Sequence, residues 1–185
     1  MRNKHSGFTL IELVIAIAIL AAIMALGMAS MRQSTPRYER ETLIARLNAL
    51  LFVGWQNAIK SGKVHRISFD FPKRKISIAV ATGTTDSQGE PICEPLSSKH
   101  GRTTLPIPDM LKVENFVIEG GDELKEHSDK QSRETWFYIT PNGLTQEVTI
   151  NFFDTKDRIA KKARPIGLVL NPFNAQFEAY DEFKK

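Results

Sequence analysis

One carboxylate, Glu12, stands inside an otherwise apolar run, FTLIELVIAIAILAAIMALGMASM, that extends from Phe8 to Met31. An acid within a membrane-length apolar segment is costly and is by default functional, with a partner to be named. The bond between Gly7 and Phe8 can supply that partner. Cutting it frees an α-amine on Phe8, with an ordinary pKa of about 7.7–8.0, so the amine is mostly cationic at neutral pH. Within one chain the amine and Glu12 lie one helical turn apart, roughly 6 Å. Between chains packed side by side, the amine of one can pair with Glu12 of the next. An ion pair in low dielectric then sets their axial register.

Other reactive side chains assemble into no comparable pattern. His5, His65, His100 and His127 are scattered, without the spacing that brings three metal ligands together. Gly120-Gly121-Asp122-Glu123 with Asp129 lacks the order of a calcium loop and reads as solvated. Cys93, the one cysteine, lies in a proline-flanked stretch and reads as a free thiol, which excludes an internal disulfide. Ser34, Ser61 and Ser128 stand outside any Gly-x-Ser-x-Gly elbow. The densest basic run is Lys156, Arg158, Lys161, Lys162 and Arg164. It reads first as a solvated loop, with contact to DNA or another anion as the functional alternative. No aromatic ladder accompanies it, so stacking on single strands is unsupported.

The elements that must position Glu12 are legible. Residues 1–7, MRNKHSG, form a short basic leader, and the 24 residues from Phe8 to Met31 suit a spanning helix. The positive flank keeps the N-terminus cytoplasmic and places the bulk of the chain outside. Ser34-Thr35-Pro36 predicts a kink or short break. Leu43, Leu47, Leu50, Leu51, Gly54 and Ala58 then recur at helical spacing, as one stripe docked on a sheet, with a stop at Ser61-Gly62.

After Gly62 the period becomes two. Strands are expected over His65–Phe71, Ile76–Val80, Val113–Glu119, Thr135–Ile139, Gln146–Phe153, Ile166–Leu170 and Ala175–Tyr180. Residues 82–109 read as a long loop, Asn142-Gly143 as a turn between two strands, and Asn171–Asn174 as the turn of the last pair. The fold class is α+β, a long N-terminal helical spine packed on antiparallel sheets. The expected divisions are 1–7 leader, 8–31 transmembrane helix, 32–62 amphipathic part of the spine and 63–185 β-rich globular domain. With 185 residues, net charge +4 and 42% apolar residues, a polytopic membrane protein is excluded and an ordinary core is affordable.

Gly7-Phe8-Thr9-Leu10-Ile11-Glu12 resembles the cleavage and methylation signal of type IV prepilins and type II secretion pseudopilins. The order of helix, Ser-Gly stop, paired strands, Leu105-Pro106 loop, Pro141-Asn142-Gly143 turn and closing hairpin is similar to the H-type minor pseudopilins and their FimT/FimU pilin relatives. What the resemblance implies is cleavage after Gly7 by a prepilin peptidase that also N-methylates Phe8, and an assembly role for Glu12. It further implies a non-enzymatic subunit of the type II secretion pseudopilus near the filament tip, with no cofactor and no metal. Its partners would be other pseudopilins or pilins through the N-terminal helix, the peptidase/N-methyltransferase, the assembly platform and the inner membrane. Nucleic acid is not expected. The chain would begin as a single-pass inner-membrane protein with a periplasmic domain and then enter a periplasmic filament. The lone Cys93 departs from the many minor pilins that close their C-terminal region with a disulfide, which favours the secretion pseudopilus over a type IV minor pilin for adhesion or DNA uptake. A membrane-tethered periplasmic enzyme is the alternative of another class.

Overall fold

The computed structural model describes residues 9–97, 102–125, 133–159 and 161–185, and gives the backbone alone for residues 25–36. Helix α1 covers Leu10–Ser61, and the chain divides into two compact units, Met1–Arg40 and Glu41–Lys185.

The first unit is helical from Leu10 onward. Its backbone stays helical through Ser34-Thr35-Pro36, where the sequence predicts a kink or break. A proline removes one donor from the ladder, and the helix continues through it. From Leu10 to Met24 the large apolar side chains are exposed all round, from 52% at Val14 to 83% at Leu10. Among the described residues no helix is long and apolar enough to cross a membrane. The apolar run read over Phe8–Met31 extends beyond the described side chains at both ends.

In the second unit α1 closes at Ser61, and Gly62 follows with φ +65° and its N–H on Ala58 O at 3.0 Å. This is the left-handed cap that glycine supplies without strain. Among the described residues, ten strands follow in two antiparallel sheets. Sheet A holds β1 (His65–Asp70), β2 (Lys75–Thr85), β3 (Pro91–Pro95), β4 (Thr104–Pro106) and β7 (Glu134–Ile139). Its order is β3-β2-β1-β7, with β4 also on β2. Sheet B holds β5 (Leu111–Ile118), β6 (Gly121–Asp122), β8 (Val148–Ile159), β9 (Lys162–Asn171) and β10 (Gln176–Tyr180), in the order β10-β9-β8-β5-β6. The α+β expectation stands.

The predicted stripe is the docked face of the helix. Leu47, Leu50, Leu51 and Ala58 are buried with Ile67, Phe69, Ile78, Phe137 and Ile139 of sheet A and with Phe116, Ile150 and Leu168 of sheet B. A Cβ on Gly54 would stand 3.3 Å from both Ile67 Cδ1 and Ile139 Cδ1, so a small residue is what lets helix and sheet approach there. Phe69 meets Phe116 edge-on at 5.2 Å, which ties the two sheets at the centre of the core.

Two loop assignments change, and one predicted turn joins strands of different sheets. Residues 82–109 are not one long loop, because β2 runs to Thr85 and both β3 and β4 pair along its outer edge. Prolines 91, 95 and 106 are tolerated there because an edge strand can spare a donor. The stretch 156–164 is not a loop but the far end of the β8–β9 hairpin, whose pairing continues through Arg158↔Ala163 and Ile159↔Lys162 after an irregularity between Asp154 and Arg158. Asn142-Gly143 does turn, but it joins β7 of sheet A to β8 of sheet B rather than two strands of one hairpin. Trp55 Nε1 donates to Gly143 O at 2.9 Å, and Thr145 N donates to Pro172 O at 2.9 Å. Those bonds hold the crossing chain against the helix and against the β9–β10 turn.

Candidate functional site

The N-terminal site is built by sequence neighbours. Thr9 stands just before α1 and Glu12 in its first turn, so an orphan amide end and an acid share one helical turn. The Thr9 N–H donates to Glu12 Oε2 at 2.9 Å, and the Thr9 hydroxyl donates to the same oxygen at 3.0 Å. In return the Glu12 N–H reaches Thr9 Oγ1 at 3.4 Å. This reciprocal arrangement is a capping box. It holds the carboxylate at the positive end of the helix dipole. Both Thr9 bonds fall on Oε2, so among the described residues Oε1 is left to accept a further donor. Gly7 and Phe8, the predicted cleavage pair and methylation site, lie outside the described residues. Thr9 is the member of this site that charge reasoning misses. The Thr-x-x-Glu spacing ahead of an apolar run carries the signal.

The basic run is brought together in part. Lys156, Arg158, Lys161 and Lys162 are exposed at the end of the β8–β9 hairpin. Buried Asp154 shapes that end by accepting the N–H groups of Lys156 at 3.0 Å and Asp157 at 3.1 Å on Oδ1. Lys161 carries the positive φ of the turn, +68°. Arg164 stands apart. Its guanidinium bonds Asp157 at 3.1 Å and Asp181 at 2.5 Å through two different nitrogens, which commits it to the protein itself. An anion at this hairpin would therefore not be met by Arg164.

Of the remaining candidates, His65 is fully buried in sheet A with Nδ1 3.0 Å from Lys63 O. His5, His100 and His127 lie outside the described residues. Cys93 is half-buried in β3, donates weakly to Pro91 O at 3.4 Å, and has its thiol pKa pushed up by burial. Asp122 Oδ1 accepts from the amides of Phe116 at 3.3 Å and Leu124 at 3.0 Å, so it organises the turn after β5. On the outer face of sheet A the Tyr138 hydroxyl donates to Glu90 at 2.5 Å and accepts from Trp136 Nε1 at 3.1 Å. Arg66 lies over the Trp136 ring at 5.4 Å.

Residues 2–28 match the prokaryotic N-terminal methylation motif, the segment that contains Gly7, Phe8 and the Thr9–Glu12 box. Two solved structures of the minor pseudopilin EpsH from the type II secretion system of Vibrio cholerae share the fold. One aligns with TM-score 0.51 at 11% identity over 81% of this chain and 98% of its own. The other aligns with TM-score 0.50 at 12% identity over 83% and 98%. The chain carries an N-terminal methylation motif and shares the fold of a minor pseudopilin. No curated protein sequence matches it. The prepilin-like signal and the fold are thus supported by separate parts of the molecule. The motif rests on the first 28 residues, and the likeness in fold extends over four-fifths of the chain.

Proposed function

We propose that this prepilin-like chain is a minor pseudopilin, a structural and non-enzymatic subunit of the type II secretion pseudopilus placed near the filament tip. The observation that carries the reading is the N-terminal helix: an exposed apolar surface over Leu10–Met24 with one capped carboxylate in its first turn, directly after a peptidase-type Gly-Phe junction. Water does not tolerate a surface of this kind, so it must be covered by lipid or by neighbouring helices. The precursor is stored in the inner membrane with its N-terminus in the cytoplasm and its globular unit in the periplasm. Prepilin peptidase removes residues 1–7 and methylates Phe8. The assembly platform then lifts the subunit into a filament, where Glu12 pairs with the Phe8 amine of a neighbour. Export of folded proteins across the outer membrane follows from filament growth.

Intact mass of the protein recovered from its native host tests this reading. The expected species lacks residues 1–7 and carries one added methyl group on Phe8. A mature chain still beginning at Met1 overturns it. Deleting the gene should strand secreted proteins in the periplasm, and unchanged secretion from a mutant that has lost other pilus functions would move the chain to the type IV pilus.

A further inference from the structure

The outer face of sheet B carries a feature that neither the prepilin signal nor the core requires. Asn151 lies on β8 between inward-facing Ile150 and Phe152, so its side chain points outward, yet it is only 1% exposed. What covers it is the segment Asp181–Lys185 that follows β10. Asn151 Nδ2 donates to Lys184 O at 2.7 Å, and the Lys184 N–H donates to Asn151 Oδ1 at 3.0 Å. One side-chain amide thus reads both main-chain polar groups of a single residue, as a neighbouring strand would. Its remaining Nδ2 hydrogen goes to Asn115 Oδ1 at 2.8 Å.

Three independent features prepare this contact. The β5–β8 register shifts between Val113 and Asn115, which makes Glu114 an extra residue. Without that bulge Asn115 would share the inward face of Val113, and with it Asn115 turns outward to orient Asn151. Opposite Asn151 in the ladder stands Gly167. Its φ lies outside the left-handed region, so the backbone does not demand glycine. Space does, because a Cβ there would lie 2.5 Å from Glu182 O and 3.1 Å from Asn151 Oδ1. Finally, Phe183 sits edge-on to Phe153 at 4.9 Å, and Arg164 holds Asp181 through two nitrogens. The site therefore reads an acid, a main-chain slot, an aromatic ring and a bracketed amide, in that order. Asp181, Glu182 and Phe183 all remain exposed. Segments with so little buried surface open locally at low cost.

We infer that the groove over β5, β8 and β9 is a binding site for an extended Asp-x-Phe-Lys segment. Residues Asp181–Lys185 of the same chain occupy it as a latch, and the latch opens without unfolding the sheets. The occupant that takes its place is the same segment of a second copy, since that copy presents the acid, the ring and the backbone in the order the groove is built to receive.

The full chain in detergent micelles provides the test. Amide hydrogen exchange should find Lys184 protected, yet exchanging at least ~100-fold faster than the β8 amides, as a sub-global opening requires. Exchange at the β8 rate, or no protection at all, overturns the latch. A chain ended after Tyr180 should keep its native circular dichroism and bind a fluorescent Asp-Glu-Phe-Lys-Lys peptide saturably, more tightly than the intact chain, whose own latch competes. Gly167→Ala in that chain, or alanine for phenylalanine in the peptide, should each weaken binding about tenfold or more. A shortened chain that loses its fold, fails to bind, or binds equally with Gly167→Ala overturns the proposal.

Discussion

The carboxamide of Asn48, on the helix, brackets the main chain of Phe177 in β10: Nδ2 donates to Phe177 O at 3.0 Å, and the Phe177 N–H donates to Oδ1 at 2.8 Å. β10 is the edge of sheet B, and an unpaired edge invites pairing with other chains. Asn48 closes it at Phe177, near its start. Asn48→Ala leaves one donor and one acceptor unpaired beside buried Phe177, a loss of about 1–3 kcal/mol. Urea unfolding should show the midpoint lowered with the slope unchanged. A midpoint equal to wild type would mean that water replaces the amide without penalty.

At Gly143 the turn and the helix compete for one space. Its φ is +82°, and a Cβ would stand 2.9 Å from Trp55 Nε1 and 3.0 Å from Ile59 Cδ1. Gly143→Ala combines a strained backbone with the loss of the Trp55 hydrogen bond, a cost of about 1–3 kcal/mol. Trp55 emission should shift as its ring moves. Trp55→Phe should recover part of the loss in the double variant, because the clashing nitrogen is gone.

His65 makes stability depend on pH. Burial pushes its pKa below the ordinary 6.5, outweighing the opposing hydrogen bond to Lys63 O. The unfolded chain therefore takes up a proton first as pH falls. Stability is full above 6.5 and declines as pH drops through the folded pKa. Thermal melts from pH 7.5 downward should show this decline, and His65→Phe should flatten it. An identical slope in that variant would assign the effect to carboxylates elsewhere.

The opposite end of the scale belongs to Tyr138. Burial, then its bond to Glu90, pushes its pKa up to about 12. The folded chain holds this proton where the unfolded chain releases it near 10, so stability is present below 10 and is lost as pH rises toward 12. Ultraviolet titration should find Tyr138 ionising late, alongside Tyr180, whose bond to Glu178 also raises its pKa. Glu90→Gln should lower that pKa while leaving it above 10, since burial is the larger cause.

Much of this architecture is written in periodicity. The alternation of Ile67, Phe69 and Phe71 and the stripe from Leu47 to Ala58 each reflect burial on one face, so both are visible locally. The layer that Asn142-Gly143 serves is not. The turn has the dipeptide of a hairpin, but the bonds from Trp55 and to Pro172 that carry the chain across to sheet B come from residues 88 and 27 positions away. The strands β3 and β4 were hidden for a related reason: prolines suppress strand propensity, and only the free edge of β2 makes them useful. At the N-terminal site the acid was legible from its apolar surroundings, whereas Thr9 required reading the same residues as a helix start. Arg164 looked like part of a basic patch because its neutralising aspartates are spread over Asp157 and Asp181.

The capping box makes Glu12 open to a decisive substitution. On the proposed reading two roles overlap on one side chain, since the carboxylate accepts from Thr9 and would offer its charge to an amine on a neighbour. Gln at this position still caps, because its side-chain oxygen accepts from the Thr9 amide. What it loses is the charge. If register depends on an ion pair, Glu12→Gln should be cleaved after Gly7 at the wild-type rate yet fail to enter filaments. Thr9→Val removes the hydroxyl bond and keeps the acid, so it should assemble with only slight impairment. Cleavage is read by intact mass and incorporation by recovery in sheared filament fractions. The reverse pattern, with Glu12→Gln assembling normally and Thr9→Val failing, would make Glu12 a helix cap and nothing more, and would require a different device to hold neighbouring helices in register.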